Sequence, residues 1–119
     1  MSLKNSQERM KKTICFDIDG VICTNTWGSY SQAKPDLNAI KKINQLYDIG
    51  NTIILFTARF MGRNNESVEK TYIEGYEFTK KQMTDWGVKF HKLIMGKPSY
   101  DIIIDDKHFN YSTEWITKL

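Results

Sequence analysis

The stretch "KTICFDIDGVIC", residues 12–23, places two carboxylates where a buried strand is expected to end. Residues 13–18 form a continuous run of mainly apolar and β-branched side chains, which predicts a buried strand. Asp17 and Asp19 stand two apart at its end, and Gly20 allows the backbone to turn sharply and approach a ligand closely. Because burying a charge is costly unless it is paired, two carboxylates here indicate a partner of opposite charge.

The remaining sequence predicts an alternation of strands and helices. Asp36 is a candidate N-cap before an apolar helical stripe that ends at Gly50, and a second such stripe ends at Gly87. The predicted elements are strands at 51–59, 88–95 and 100–105, helices at 36–50 and 64–87, a turn-rich hairpin or flap at 21–35, and a short closing helix at 110–119. This order predicts an α/β fold, a Rossmann-like three-layer sandwich around a mostly parallel sheet.

Length, charge and composition limit the classes of function. The 119 residues fit one domain at 13–119 after a polar tail at 1–12. A net charge of +3 with no basic run argues against a nucleic-acid partner. No apolar run approaches the roughly 18 residues that a membrane span needs. Cys15 and Cys23 form no Cys-x-x-Cys pair or Cys/His cluster, which favours a reducing cytoplasm.

Polar side chains collect where the predicted strands end. They are Asp17 and Asp19 in the first strand segment, Thr57 in the second, Lys97 after the third, and Asp105 and Asp106 at the last. In a parallel sheet the carboxyl ends of the strands share one edge, where α/β folds bind ligands. Several carboxylates in one pocket favour Mg²⁺, usually completed by substrate phosphate, while a lysine and a hydroxyl hold phosphate oxygens. The sequence therefore predicts a magnesium-dependent phosphate site.

The order of these residues distinguishes two kinds of phosphate site. Receiver domains of signalling systems also use a carboxylate pair, a phospho-accepting aspartate, a threonine and a lysine on a similar sheet. In receivers the acidic pair precedes the acceptor, whereas here Asp17 comes first and the pair Asp105 and Asp106 comes last. The arrangement therefore does not fit a receiver.

Four segments in this order resemble the haloacid dehalogenase (HAD) superfamily of phosphatases. "DIDGV" at 17–21 is similar to its first motif, "ILFTA" at 54–58 to its second, "GKP" at 96–98 to its third and "IIIDD" at 102–106 to its fourth. More narrowly, "AKPDLNAI", "IILFTARFM", "GKP" and "DDK" resemble the short capsule-biosynthesis phosphatases of bacterial polysaccharide loci. The resemblance covers nearly the whole chain, from residue 13 to about residue 108.

The resemblance implies a role for each matching residue. Asp17 would be the nucleophile that forms an aspartyl-phosphate, and Asp19 would be the general acid and then the base that activates water. Mg²⁺ would screen the repulsion between carboxylate and phosphate and orient the attack. Its implied ligands are Asp17, the Asp19 backbone carbonyl, Asp105 and Asp106. The implied ligands of the phosphoryl oxygens are Thr57, the backbone at Ala58, and Lys97.

The resemblance also bears on the shape of the site. Only residues 21–34 separate Gly20 from Pro35, and residues 60–96 are mostly one helix, so no cap domain fits. A capless core leaves the site open. We therefore expect either a large substrate or a neighbouring subunit of a homo-oligomer that covers the site.

The leading hypothesis is a cytoplasmic, Mg²⁺-dependent phosphomonoesterase that acts on a small phosphosugar in surface-polysaccharide synthesis. Two alternatives stay open: a binding or assembly protein of the same fold with little catalysis, and a phosphatase for nucleotides, nucleic-acid ends or phosphoproteins. Arg59 is a candidate for binding a second anionic group, or else a surface arginine. Trp27 and Tyr30 would stack on a sugar ring or pack within the flap, and His108 is read as a structural or surface residue.

Overall fold

The fold is seen in a computed structural model, which describes residues 11–109 and 114–119. Within these residues the sheet has three parallel strands in the order β1 (Thr13–Asp17), β2 (Thr52–Thr57) and β3 (Lys92–Met95). The helices are α1 (Leu37–Asp48) between β1 and β2, α2 (Val68–Asp85) between β2 and β3, and α3 (Trp115–Lys118) near the end of the chain. The expected α/β fold with a parallel sheet is confirmed.

Both long helices begin at a capping side chain. The Asp36 carboxylate accepts a hydrogen bond from the Ala39 amide at 3.0 Å, as the sequence predicted for the start of α1. Helix α2 begins later than predicted, at the cap Ser67, because Asn65 and Glu66 have φ values of +53° and +62°. A left-handed backbone cannot continue a right-handed helix, so the chain forms a separate short turn before α2.

The core lies on one face of the sheet. The strand register places Phe16 beside Leu55 and Leu55 beside Leu93, so these three buried side chains point to the same face. They join side chains from α1, α2 and α3 in one hydrophobic cluster. The opposite face carries Ile54, Phe56 and other residues outside that cluster. Of the predicted three-layer sandwich, the described residues therefore show a parallel sheet with one helical layer.

The predicted strand at 100–105 is wrong. The structure has no strand there, and Ile102 and Ile104 are 80% and 95% exposed. A continuous run of isoleucines shows a preference for extended backbone, but a strand forms only when a neighbour supplies hydrogen bonds. The start of this segment is held elsewhere, since the Ser99 amide and hydroxyl donate to the Glu66 carboxylate at 2.9 and 3.1 Å. The outer edge of β1 consequently has no paired strand among the described residues.

Two other predictions concern the ends of the chain. The predicted tail at 1–12 lies outside the described residues except for its last two positions. The predicted closing helix at 110–119 is seen as Trp115–Lys118, while 110–113 lie outside the described residues. In the part of the chain that the structure describes, no helix has the length and apolar character needed to cross a membrane.

Candidate active site

A cleft of about 770 Å³ opens at the carboxyl ends of the three strands. Its wall contains five residues that the sequence predicted for a site: Asp17, Asp19, Ala58, Arg59 and Lys97. They reach one place because β1, β2 and β3 run parallel, so the segments that follow the strands leave the sheet at the same edge.

Asp17 and Lys97 form an ion pair on the floor of the cleft. Lys97 Nζ lies 3.1 Å from Asp17 Oδ2, and the Ile18 amide donates to Asp17 Oδ1 at 2.8 Å. Burial acts to lower the pKa of Lys97, but its hydrogen bond to Tyr100 and the nearby Asp17 carboxylate outweigh that effect and raise the pKa. Lys97 is therefore a fixed cation beside a carboxylate that is 37% exposed.

Asp19 is held by Arg59 in a two-point contact. Arg59 Nε donates to Asp19 Oδ2 and Arg59 Nη2 donates to Asp19 Oδ1, both at 2.9 Å. The arginine side chain is fully buried, and its Nη1 donates to Gln82 Oε1 at 2.6 Å. We call this group the Asp19 clamp: Asp19, Arg59 and Gln82. The Arg59 guanidinium, a candidate for binding substrate, is thus directed at Asp19 and acts as a positioning residue.

Cys23 lies against the Asp19 clamp and is a neutral thiol. Burial and the adjacent Asp19 carboxylate raise the pKa of Cys23 to about 12. Its sulfur lies 3.5 Å from Asp19 Oδ1 and 3.6 Å from Arg59 Nη2. A protonated thiol is a weak donor and a poor nucleophile, so Cys23 supports the carboxylate and is not set up to attack a substrate.

Thr57 lies beneath the cleft and is fully buried. Its hydroxyl accepts a hydrogen bond from the Arg59 amide at 3.0 Å, and its carbonyl accepts one from the Lys97 amide at 3.1 Å. The structure therefore places Thr57 where it fixes the two segments that carry Arg59 and Lys97. It does not place the hydroxyl in the cleft wall, where the phosphate was expected.

The flap at 21–35 forms one wall of the cleft. Its two ends are joined by a hydrogen bond from the Thr24 amide to the Lys34 carbonyl at 2.9 Å. The Tyr30 ring packs against Phe60 at a centroid distance of 4.8 Å, and the Tyr30 hydroxyl accepts from the Phe60 amide at 3.1 Å. Tyr30 thus packs within the wall, whereas Trp27 is 89% exposed on the cleft side.

Asp105 and Asp106 lie apart from the cleft wall and are exposed. The Lys107 amide donates to Asp105 at 2.9 Å, and this bond is the main reason that the pKa of Asp105 lies below its ordinary value. Within 11–109 and 114–119, no three Asp, Glu, His or Cys side chains are grouped so as to hold a metal ion. The structure therefore does not gather the predicted Mg²⁺ ligands. His108 is also exposed, as expected for a surface residue.

Sequence reasoning missed two residues of this site. Gln82 binds Arg59 and also donates from Nε2 to the Tyr30 carbonyl at 2.8 Å, which joins α2 to the flap. The sequence feature that could have identified Gln82 is its position directly before the buried Met83 on the apolar stripe of the helix. Tyr100 was assigned to the predicted strand, but its ring lies 5.1 Å from Lys97 Nζ and lines the cleft.

Comparison with known proteins identifies a structure of similar fold but indicates no function. The chain matches no protein-family model and no curated protein. It is similar to the crystal structure of an MCSG target from Vibrio cholerae, with a TM-score of 0.76 and 23% identity over 91% of this chain and 94% of that chain. At this level of identity the likeness shows a shared fold, so any function has to be argued from the site itself.

Proposed function

We propose that this protein is a Mg²⁺-dependent phosphomonoester hydrolase of the HAD type that uses Asp17 as its nucleophile. The observation that carries the proposal is the partly exposed Asp17 carboxylate with Lys97 fixed at 3.1 Å in an open cleft. In phosphoryl transfer an anion attacks an anion, so a cation placed in advance lowers the barrier. Arg63, on the same cleft wall, adds a second positive charge.

In the first step a carboxylate oxygen of Asp17 forms a bond to phosphorus, and the bond from phosphorus to the leaving oxygen breaks. The Ile18 amide already holds Asp17 Oδ1, while Lys97 holds Oδ2. A phosphate that enters the cleft offers Lys97 new anionic oxygens, which frees Asp17 Oδ2 for attack. The leaving oxygen takes the electron pair of the broken bond and requires a proton unless it is a stable anion.

In the second step water attacks the phosphorus of the aspartyl-phosphate, the bond to Asp17 breaks, and a proton passes to a base. Asp19 is placed to accept this proton, because Arg59 holds both of its carboxylate oxygens in the cleft wall. The same residue is the proposed donor of the proton that the leaving oxygen takes up in the first step. Asp19→Asn should therefore slow hydrolysis of an alkyl phosphate more than that of p-nitrophenyl phosphate, whose leaving group needs no proton.

The proposed dependence on Mg²⁺ rests on the resemblance of the four segments to the motifs of HAD phosphatases. The described residues do not fit the ion as a ligand set, because Asp105 and Asp106 are exposed and no three ligands are grouped. When bound, a divalent cation beside Asp17 would supply positive charge for the transferring phosphoryl group.

The proposed substrate is a small phosphosugar in surface-polysaccharide synthesis. This choice rests on the resemblance to the short capsule-biosynthesis phosphatases, and a cleft of about 770 Å³ suits a small molecule. A cytoplasmic location and a neighbouring subunit that covers the open cleft belong to the same proposal. A phosphatase for nucleotides or phosphoproteins would use the same residues, so a substrate panel has to separate these classes.

A binding or assembly protein with little catalysis is the second candidate. The exposed Asp105 and Asp106, away from the cleft wall, favour it, because a site without its metal ligands would bind a phosphate ester without turning it over. The two candidates differ in one observable: only the hydrolase releases product.

Hydrolysis of p-nitrophenyl phosphate tests the proposal. We expect wild-type turnover with Mg²⁺ and its loss in EDTA. Asp17→Asn should reduce turnover by at least about 10³-fold, as expected when a nucleophile is removed. Asp85→Asn, an exposed acid on α2, is the matched control and should keep full activity. Equal turnover in wild type and Asp17→Asn would contradict the nucleophile, and no turnover in any folded protein would favour the binding role.

A further inference from the structure

Trp27 combines an uncommon backbone conformation with an almost fully exposed side chain. Its φ is +55°, in the left-handed region that bulky residues rarely adopt. The residue is 89% exposed, so packing within the described chain does little to offset this strain. Residues in such strained conformations are held in place by their surroundings and are concentrated at binding and catalytic sites. The strained backbone together with an exposed indole in the cleft wall makes Trp27 a candidate for contacting a ligand.

The turn that carries Trp27 is held from two sides. Trp27 and Gly28 have φ values of +55° and +106°, as the two central residues of a type I′ turn require. The Asn25 side chain accepts from the Trp27 amide at 3.2 Å, and Arg63 Nη2 donates to the Gly28 carbonyl at 2.7 Å. The Arg63 guanidinium in turn lies over the Phe60 ring at 4.7 Å. The turn that carries the indole is thus fixed by hydrogen bonds in the wall of the cleft.

A second exposed aromatic ring lines the same cleft. Tyr100 is 46% exposed, and its ring lies 5.1 Å from Lys97 Nζ. Trp27, Tyr100, Asp17 and Lys97 all line one cavity. A ligand whose phosphate contacts Lys97 therefore has aromatic surface within the same cavity for the rest of its body. Aromatic faces stack on the flat ring of a base. They also pack against the apolar C–H face of a sugar ring.

We propose, on the basis of the function proposed above, that Trp27 and Tyr100 bind the ring of a ring-bearing phosphomonoester. The phosphate pairs with Lys97, and one face of the ring packs on the aromatic side chains. The protein accordingly prefers phosphate esters of rings over phosphate esters of open chains. A sugar ring and a base both offer a face that an aromatic side chain can contact, and probes that carry one or the other distinguish them.

Binding measured without turnover tests the proposal. Isothermal titration of the Asp17→Asn protein uses three phosphomonoesters: glucose 6-phosphate with a sugar ring, adenosine 5′-phosphate with a base, and glycerol 3-phosphate with no ring. Adding Trp27→Ala should weaken binding of a ring-bearing probe by about 5- to 50-fold, as expected for loss of one stacked ring. Glycerol 3-phosphate should bind as before. Ile73→Ala, a change of a 79% exposed residue on α2, is the control and should alter nothing.

A second variant separates stacking from support of the turn. Asn tolerates the left-handed region far better than Trp, so Trp27→Asn should keep the turn and raise the melting temperature. It should lose ring binding as much as Trp27→Ala does. A fall in melting temperature would assign Trp27 a role in folding and overturn the proposal.

The other outcomes of these titrations also decide whether Trp27 has a stacking role. Equal weakening of all three probes, or no weakening of either ring-bearing probe, would overturn the stacking role. If Trp27→Ala leaves binding of both ring-bearing esters unchanged while wild type hydrolyses p-nitrophenyl phosphate, the proposed function stands although the stacking role fails. If no ester binds and nothing is hydrolysed, the proposed function fails and the stacking role fails with it.

Discussion

Two acidic regions of this chain stand in opposite surroundings. In the Asp19 clamp, a fully buried arginine holds the carboxylate through two bonds of 2.9 Å. At 105–106 the carboxylates are exposed, and Asp105 accepts its bond from the nearby Lys107 amide. The two regions look equally functional in the sequence. The difference teaches that an acidic residue becomes part of a site only where another element brings a partner to it.

The pairing of β1 with β2 supplies that partner. Arg59 follows Thr57, the last residue of β2, and β2 is paired with β1 through Asp17 itself. Forming the sheet therefore places the segment that carries Arg59 beside the segment that carries Asp19. The segment at 100–105 has no paired strand in the described structure, so nothing carries Asp105 to the same edge.

The largest expected effect comes from breaking the Asp19 clamp. Arg59→Met removes a buried partner and leaves the Asp19 carboxylate unpaired, which should lower the free energy of unfolding by about 3–5 kcal/mol. Lys81→Met is the matched control, because Lys81 is 76% exposed and pairs with the exposed Asp85 at 2.6 Å on α2. Its loss should be at most about 1 kcal/mol. Urea denaturation of both variants measures the difference.

A double variant decides whether the unpaired charge is the cause. Asp19→Asn together with Arg59→Met leaves neither charge in the clamp, so it should be more stable than Arg59→Met alone. Equal losses in Arg59→Met and Lys81→Met would show that the buried pair contributes no more than the exposed one.

The second prediction concerns the exposed acidic pair. Asp105→Asn with Asp106→Asn should reduce Mg²⁺-dependent turnover by about 10²- to 10³-fold if these carboxylates bind the metal during catalysis. Because both residues are exposed, the denaturation curve should not move. Asp101→Asn is the control for charge on the same segment. Unchanged turnover would show that the exposed arrangement is the working one, and the proposed metal site would then be wrong.

The sequence predicted correctly those features that depend on neighbouring residues and that the tertiary contacts also support. The strand ending at Asp17 and the cap at Asp36 are local features, and both are present. The contact between Asp19 and Arg59 joins residues forty positions apart, and no spacing rule reveals it. The run at 100–105 failed for the same reason, since its preference for extended backbone is local whereas pairing depends on a distant neighbour.

The third prediction concerns the packing of α2 against Phe60, next to the Asp19 clamp. A Cβ added at Gly75 in α2 would lie 2.3 Å from the Phe60 ring, which itself packs against Tyr30. Alanine favours helix, but the overlap should dominate, and we expect Gly75→Ala to lower the free energy of unfolding by about 1–3 kcal/mol. Gly62→Ala is the matched control, because nothing lies within 4 Å of its added Cβ. Equal stability of the two variants would show that Phe60 moves aside freely.

The smallest expected effect lies in the exposed segment itself. Ile104 is 95% exposed, so Ile104→Lys should leave the free energy of unfolding within about 0.5 kcal/mol of wild type. Ile53→Ala in β2, where the side chain is fully buried, should instead cost about 2–5 kcal/mol. Amide hydrogen exchange at 102–104 should be fast for the same reason. Slow exchange, or a loss of stability in Ile104→Lys, would mean that this segment pairs with a sheet edge in solution. The active protein would then have a different conformation, in which Asp105 and Asp106 need not be exposed as they are in this structure.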